Sequence, residues 1–195
     1  KTNYKNGFSY GTSEVYYRNG QLEKRSNTKN NLLHGSNETF YRDGQPKLQE
    51  NYEEGKLQGV SIEYFENGQL NNQKNYKDGK LQGVSIEYFE NGQLKVKTNY
   101  KNGKKNGLVE TFYEDGTLNS RIEYKDGQYN GLYEDFLQDG NFFKKTYYKD
   151  GKENGDYEYR FFNGDILKGS YKDGKKHGYW RYIRPDGSIY GEENF

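Results

Sequence analysis

The 195-residue chain has no cysteine, no methionine and no alanine, and only two prolines, two histidines and one tryptophan. Without cysteine there is no disulfide, no thiolate nucleophile and no cysteine zinc site, although the redox compartment stays open. Leu, Ile, Val and Phe together supply 35 residues, or 18%, a level at which disorder becomes a live expectation. The longest unbroken apolar run is Val15-Tyr16-Tyr17, far short of the ~20 residues that span a bilayer. Neither sign of charge dominates. Thirty Lys and Arg against 29 Asp and Glu leave a net charge of +1, so no global field draws in a nucleic-acid backbone and nucleic acid is not an expected partner. No signal peptide is visible, but the sequence opens at Lys1 without a Met, as a trimmed chain would. The expectation is therefore an exported protein, periplasmic or on the cell surface, with a cytoplasmic one as the alternative.

What is abundant is aromatic: 22 Tyr and 11 Phe accompany the single Trp. Disordered chains are poor in aromatics and usually carry a large net charge, so a thin folded structure buried by rings fits better than disorder. The sixteen residues GKLQGVSIEYFENGQL stand at 55–70 and again, letter for letter, at 79–94. Stepping by the same 24 residues links Tyr4, Thr28, Tyr52, Tyr76, Tyr100, Tyr124 and Tyr148, and a 23-residue step then reaches Tyr171. Eight repeats fill the chain as one array, near 4–27, 28–51, 52–75, 76–99, 100–123, 124–147, 148–170 and 171–195. Of 25 glycines, 23 fall in three registers, those of Gly55, Gly59 and Gly68 in repeat three, and Gly169 and Gly191 stand outside them. Repeat two has Asn31 at the first register, the next most tolerant residue for positive φ.

Asn67-Gly68 and Asp78-Gly79 are dipeptides suited to two-residue type I′ turns, in which both central residues have positive φ. The segments between them are short, Gly-punctuated and rich in Tyr, Phe, Val and Ile, which favours strands over helices. Each repeat is expected to be a β-hairpin, and the whole an all-β, elongated, single-layer antiparallel β-meander of eight ~24-residue hairpin repeats. With a two-residue turn at Asn67-Gly68, Phe65 faces Leu70 and Gly59 faces Tyr76, whose ring would cover the glycine. Val60, Ile62 and Tyr64 then share the opposite face. Two-residue turns throughout would let the register slip by two residues per repeat. The stretch Gly79-Lys80-Leu81-Gln82-Gly83 and its equivalents are expected to absorb that slip as a bulge or wider loop. The shortened seventh repeat, and the eighth with Tyr179-Trp180 and Arg184-Pro185-Asp186-Gly187, read as capping repeats or as a specialised binding end.

The frames YKDGKLQGVSIEYFENGQL at 76–94 and YKDGKKHGYWRYIRPDGS at 171–188 resemble the MORN-variant repeat found in bacterial proteins of the YwqK antitoxin type. The resemblance covers the whole chain in eight copies, although the tryptophan that many such repeats carry two residues after the second glycine occurs only as Trp180. It implies a hairpin array that binds or assembles rather than catalyses, takes no cofactor, and has as partner a protein such as a toxin, a phospholipid surface, or itself. Tyr- and Gly-rich hairpin repeats of the glucan-binding kind are a rival likeness, but those are rich in Trp.

Candidate chemistry is sparse. His34 and His177 lie six repeats apart, about 58 Å in such a meander, so they form neither a dyad nor a shared metal site. Ser and Thr are scattered outside any shared register, which leaves no nucleophile–base constellation, and no metal site is expected. Glu53-Glu54 and Glu192-Glu193 read as solvated loop charges. Tyr52, Tyr76, Tyr100 and Tyr124 form a ladder that is both the core of a single layer and the best candidate partner face, since tyrosine offers much contact area at low entropy cost. Lys168, Lys172, Lys175, Lys176, Arg181 and Arg184 stand in one stretch against Asp173 alone, while 50–66 holds five Glu against Lys56. The basic stretch is a candidate surface for anionic lipid or self-association, or else an edge guarded by lysine against unwanted pairing.

Overall fold

A computed structural model describes Tyr4, Lys5 and residues 7–195. Among these residues there are twenty β-strands and no helix. The reason lies in the backbone of the repeat. All 23 glycines of the three registers have positive φ, whereas Gly169 and Gly191 do not. A left-handed residue at such short intervals suits turns and bulges and interrupts any helix before a nucleus can form.

Contacts group the chain into two compact units, Lys1–Lys95 with Tyr100–Gly103 and Val96–Asn99 with Lys104–Phe195. Each is an open antiparallel meander in which a strand pairs with those before and after it. In the first, the order is Gly11–Tyr16, Leu22–Lys29, Leu32–Phe40, Pro46–Glu53, Gly59–Tyr64, Leu70–Lys77 and Gly83–Tyr88. In the second it is Lys104–Phe112, Leu118–Lys125, Gln128–Phe136, Phe142–Lys149, Lys152–Arg160, Ile166–Lys172, Lys175–Ile183 and Ile189–Asn194.

The two turns of each repeat differ. Asp78 and Gly79 both have positive φ, 52° and 76°, between the paired Lys77 and Lys80, so this turn is type I′ as expected. Asn30 and Asn31, at 54° and 66°, make the equivalent turn without glycine. The Asn67-Gly68 turn is not type I′. Only Gly68 is left-handed, at 83°; its amide donates to the Phe65 carbonyl, and the Phe65 amide donates to Gln69. The loop is thus Glu66-Asn67-Gly68, a type I turn closed by a left-handed glycine. The Asn67 side chain decides it, because Oδ1 accepts the Gln69 amide at 2.9 Å and holds its own backbone right-handed. Phe65 accordingly faces Gln69 rather than Leu70.

One strand later the register is restored. Tyr64 pairs with Leu70 but Glu63 pairs with Asn72, leaving Asn71 as an unpaired bulge residue. The extra loop residue and the bulge offset one another, so Gly59 does face Tyr76. The expected two-residue slip is absorbed at Gln82-Gly83: Tyr76 pairs with Leu81, yet Gln73 pairs with Ile86. Repeat seven pairs without interruption from Gly155–Tyr171 to Arg160–Ile166. Its missing residue is the bulge.

At Gly59 and Gly83 the glycine facing a tyrosine is not there to make room for a ring. A Cβ at Gly59 or Gly83 would meet nothing within 4 Å; positive φ is what demands glycine at those sites. The tightest ring-over-glycine packing is at the two glycines outside the frame. A Cβ at Gly169 would collide with the Trp180 indole, and one at Gly191 would lie 3.1 Å from the Tyr182 ring.

Repeats are also tied at their turn ends. The Tyr17, Tyr41 and Tyr113 hydroxyls donate to the carbonyls of Phe40, Tyr64 and Phe136, each one repeat onward, at 2.7–2.9 Å.

Candidate functional site

Strand alternation divides each unit into a tyrosine face and an opposite face. On the tyrosine face the ladder residue is flanked by a central row of side chains. In the first unit this row reads Ser13, Ser26, Asn37, Glu50, Ser61, Lys74 and Ser85. Asn37, Ser61 and Ser85 are buried although polar. Asn37 Nδ2 and the Tyr52 hydroxyl both donate to Glu50 Oε2 at 3.0 Å, and Asn72 Nδ2 donates to Glu63 at 2.5 Å. Burial, helped by the Glu50 carboxylate, pushes the Tyr52 hydroxyl up to about 12, and burial raises Tyr76 and Tyr100 as well. Among the described residues, Tyr52, Tyr76 and Tyr100 stack on no other ring. They present half-buried phenolic edges beside carboxylates, amides and serine hydroxyls.

In the second unit the same row reads Val109, Ile122, Tyr133, Thr146, Tyr157, Gly169 and Trp180. Here the rings interlock. Tyr124, the last of the four ladder candidates, lies edge-on to Tyr129 at 4.9 Å between centroids, and Tyr129 continues to Tyr148 at 5.0 Å. Trp180 is 1% exposed and contacts Tyr157 and Tyr171 at 5.1 and 5.0 Å. Burial raises Tyr133, and it pushes Tyr148 and Tyr157 up to about 12. Tyr124 therefore belongs to a packed aromatic layer, unlike the other three candidates.

The opposite face carries charge pairs across neighbouring strands: Glu14–Arg25 at 2.9 Å in the first unit, and Arg121–Glu134, Lys145–Glu134 and Lys168–Glu158 in the second. Between Glu38 and Ile86 the ladder turns neutral, running Gln49, Ile62, Gln73, Ile86.

The basic stretch does not form one patch. Lys168 and Arg181 pair across strands on the opposite face, where Glu158 holds the first at 3.1 Å and Glu192 the second at 2.6 Å. Glu192 is thus an ion-pair partner rather than a purely solvated charge. Lys172 and Lys175 flank the Asp173-Gly174 turn. Lys176 is drawn to the tyrosine face, 4.5 Å from the Trp180 ring and 4.7 Å from Phe195. Arg184 sits at the far end of its strand over Tyr190, at 4.8 Å. Adjacency in sequence did not survive strand alternation. His34 accepts the Glu54 amide at a long 3.5 Å, and the His177 carbonyl accepts from Ser170, so both serve turns. Among the described residues no group of three or more His, Asp or Glu side chains gathers to hold a metal, and no helix is long and apolar enough to cross a membrane.

The central row is the feature that the sequence reading passed over. It was available, since Ser13, Asn37, Ser61, Ser85, Val109, Tyr133 and Tyr157 recur every 24 residues, and Trp180 follows 23 later. The tyrosine and glycine columns are the more conspicuous because they vary least from repeat to repeat.

A family model described as the MORN repeat variant matches five segments of the chain, 10–30, 33–54, 57–78, 81–102 and 105–126. The matches end at residue 126, before Tyr133, the first aromatic side chain of the row. No curated protein matches the sequence.

Proposed function

Because the chain belongs to the MORN repeat variant family, whose repeats commonly serve as modules that bind proteins or membranes, we propose that it is a non-catalytic scaffold that binds another protein through the tyrosine face of its first unit. One observation carries the reading. Tyr52, Tyr76 and Tyr100 are half-buried beside a row of serine, asparagine and glutamate, with no ring packed against them. Such a surface offers flat phenolic area and a regular set of donors and acceptors, the composition that favours protein contact at low entropic cost. The corresponding face of the second unit has its rings committed to one another.

The test is affinity capture of the tagged chain from its native cell extract, in parallel with a Tyr76→Ser/Tyr100→Ser variant shown to melt like the wild type. A stoichiometric protein recovered by the wild type and lost by the variant supports the reading. Recovery of bait alone, or of the same partner by both, overturns it. The finer reading, that the partner is a toxin neutralised by this scaffold, rests on the family resemblance. It requires the captured protein to be harmful when expressed without this chain, and a harmless partner sinks it.

A further inference from the structure

Each ladder residue pairs, across the turn that follows it, with one side chain of the next strand. Among the described pairings that place holds an aromatic ring once, Tyr129 across from Tyr124, where others hold Leu57, Leu81, Glu153 or Lys176. Cross-strand partners are close enough for their side chains to touch, and this one exchange gathers phenols. Tyr129 lies 4.9 Å from Tyr124 and 5.0 Å from Tyr148 between centroids, while Tyr133 stands 6.0 Å from Tyr129 and 5.9 Å from Tyr148. In the first unit Leu57 and Leu81 occupy the place instead, and successive ladder tyrosines stand two strands, or ~9.6 Å, apart. Two of the gathered phenols have somewhere to send a proton: the Tyr148 hydroxyl hydrogen-bonds to Glu153 and the Tyr133 hydroxyl to Asp135. Tyr124, Tyr129 and Tyr148 are half-buried rather than sealed, which leaves them within reach of a small oxidant. The chain has no Cys and no Met, the sulfur side chains on which oxidation commonly falls.

We propose that the second unit carries a site of oxidative tyrosine cross-linking, at which Tyr129 becomes joined to Tyr124 or Tyr148. Each of two phenols gives one electron to a one-electron oxidant, such as a peroxidase intermediate or a metal(III) complex, and its hydroxyl proton to a neighbouring carboxylate or to water. The two phenoxyl radicals pair their electrons in a new carbon–carbon bond between ring positions ortho to oxygen. The hydrogens on those carbons then move to the oxygens. Two equivalents of oxidant are reduced, and the product is a biphenol with two hydrogens fewer than the parent chain. The bond runs between adjacent strands, from Gln128–Phe136 to Leu118–Lys125 or to Phe142–Lys149. It ties the aromatic layer covalently in a chain that has no cysteine to form a disulfide. The site does not depend on the partner-binding reading of the first unit.

The test is brief photolysis of the dilute chain with ruthenium(II) tris-bipyridyl and persulfate at neutral pH, followed by digestion and peptide mapping by mass spectrometry. The expected product is a single chain with biphenol fluorescence, in which the peptide holding Tyr129 is joined to that holding Tyr124 or Tyr148. Tyr129→Phe keeps the ring, so it should melt like the wild type while losing that product. Leu81→Tyr places a phenol across from Tyr76 and should add a second cross-link, in the first unit. A wild type that forms no biphenol within one chain, or forms it chiefly at other tyrosines, overturns the inference. So does a Tyr129→Phe chain that cross-links to the same extent, or a Leu81→Tyr chain that gains nothing.

Discussion

The two units share one hairpin and one register, yet they fill the central row in opposite ways. In the first the row is Ser, Asn, Glu and Lys, tied by hydrogen bonds such as those from Asn37 Nδ2 and the Tyr52 hydroxyl to Glu50, while among the described residues the buried Asn37 Oδ1 has no partner. In the second it is Val, Ile, Tyr, Thr, Gly and Trp, closed by two groups of ring contacts, one around Tyr129 and one around Trp180. A single-layer sheet has no second layer to bury against, so each unit completes its own face from side chains of that face. Hydrogen bonds give modest net stability, whereas buried aromatic area gives more. The comparison teaches that one repeat frame accommodates either a firm aromatic layer or a polar recognition surface, and the row residue selects which.

The largest test of that contrast is Trp180→Ala, which should cost about 3–5 kcal/mol, read as a lowered denaturation midpoint and faster hydrogen exchange across residues 150–195. Loss under 1 kcal/mol would mean the aromatic layer is not what holds the second unit. Gly169→Ala drives a methyl into the indole and should cost about 1–3 kcal/mol, visible in the fluorescence of the single tryptophan. The expected sign reverses at Thr146. Its side chain is fully buried, and among the described residues its hydroxyl has no hydrogen-bond partner. Thr146→Val should therefore stabilise, by about 1 kcal/mol, and a destabilised variant would reveal a partner such as a bound water. Ser61→Val, which copies Val109 into the first unit, should change stability by less than about 1 kcal/mol but abolish partner capture if the polar row is what a partner reads.

Alkali sharpens the contrast more gently. Tyr52, Tyr148 and Tyr157 are held up at about 12 by burial, against about 10 in the unfolded chain. The folded state binds more protons between those values, so their stabilising contribution is intact below pH 10 and is lost as pH rises through 12. Absorbance titration should show these phenols ionising late, with the unfolding midpoint falling over the same window. Early ionisation of every tyrosine would contradict the packing described for both units.

Much of this architecture was legible because the repeat amplifies weak local signals. Asp78-Gly79 read correctly as a type I′ turn, and the slip absorbed at Gln82-Gly83 followed from counting residues between turns. Asn67-Gly68 misled because two turn types use the same dipeptide, and the choice rests on where the Asn67 carbonyl oxygen finds its donor. The Gly59–Tyr76 register came out right even so, since the loop error and the unseen bulge at Asn71 cancel. For the functional face, the ladder residues were identifiable but their inequality was not: Tyr52 and Tyr124 occupy the same letter of the repeat, and their paired neighbours, Leu57 and Tyr129, set them apart. The basic stretch is divided for a simpler reason. A strand sends successive residues to opposite sides, so six cations close in sequence need not share a surface.

The bulge has a consequence for how such a gene can change length. A deletion inside a paired strand moves every later side chain of that strand to the wrong side of the sheet. Asn71 and its equivalents pair with nothing, so a codon lost there leaves the remaining alternation in phase, and repeat seven is a hairpin that has lost it. Each hairpin with the bulge thus holds one dispensable codon, at which the array can drift from 24 to 23 residues without turning inside out.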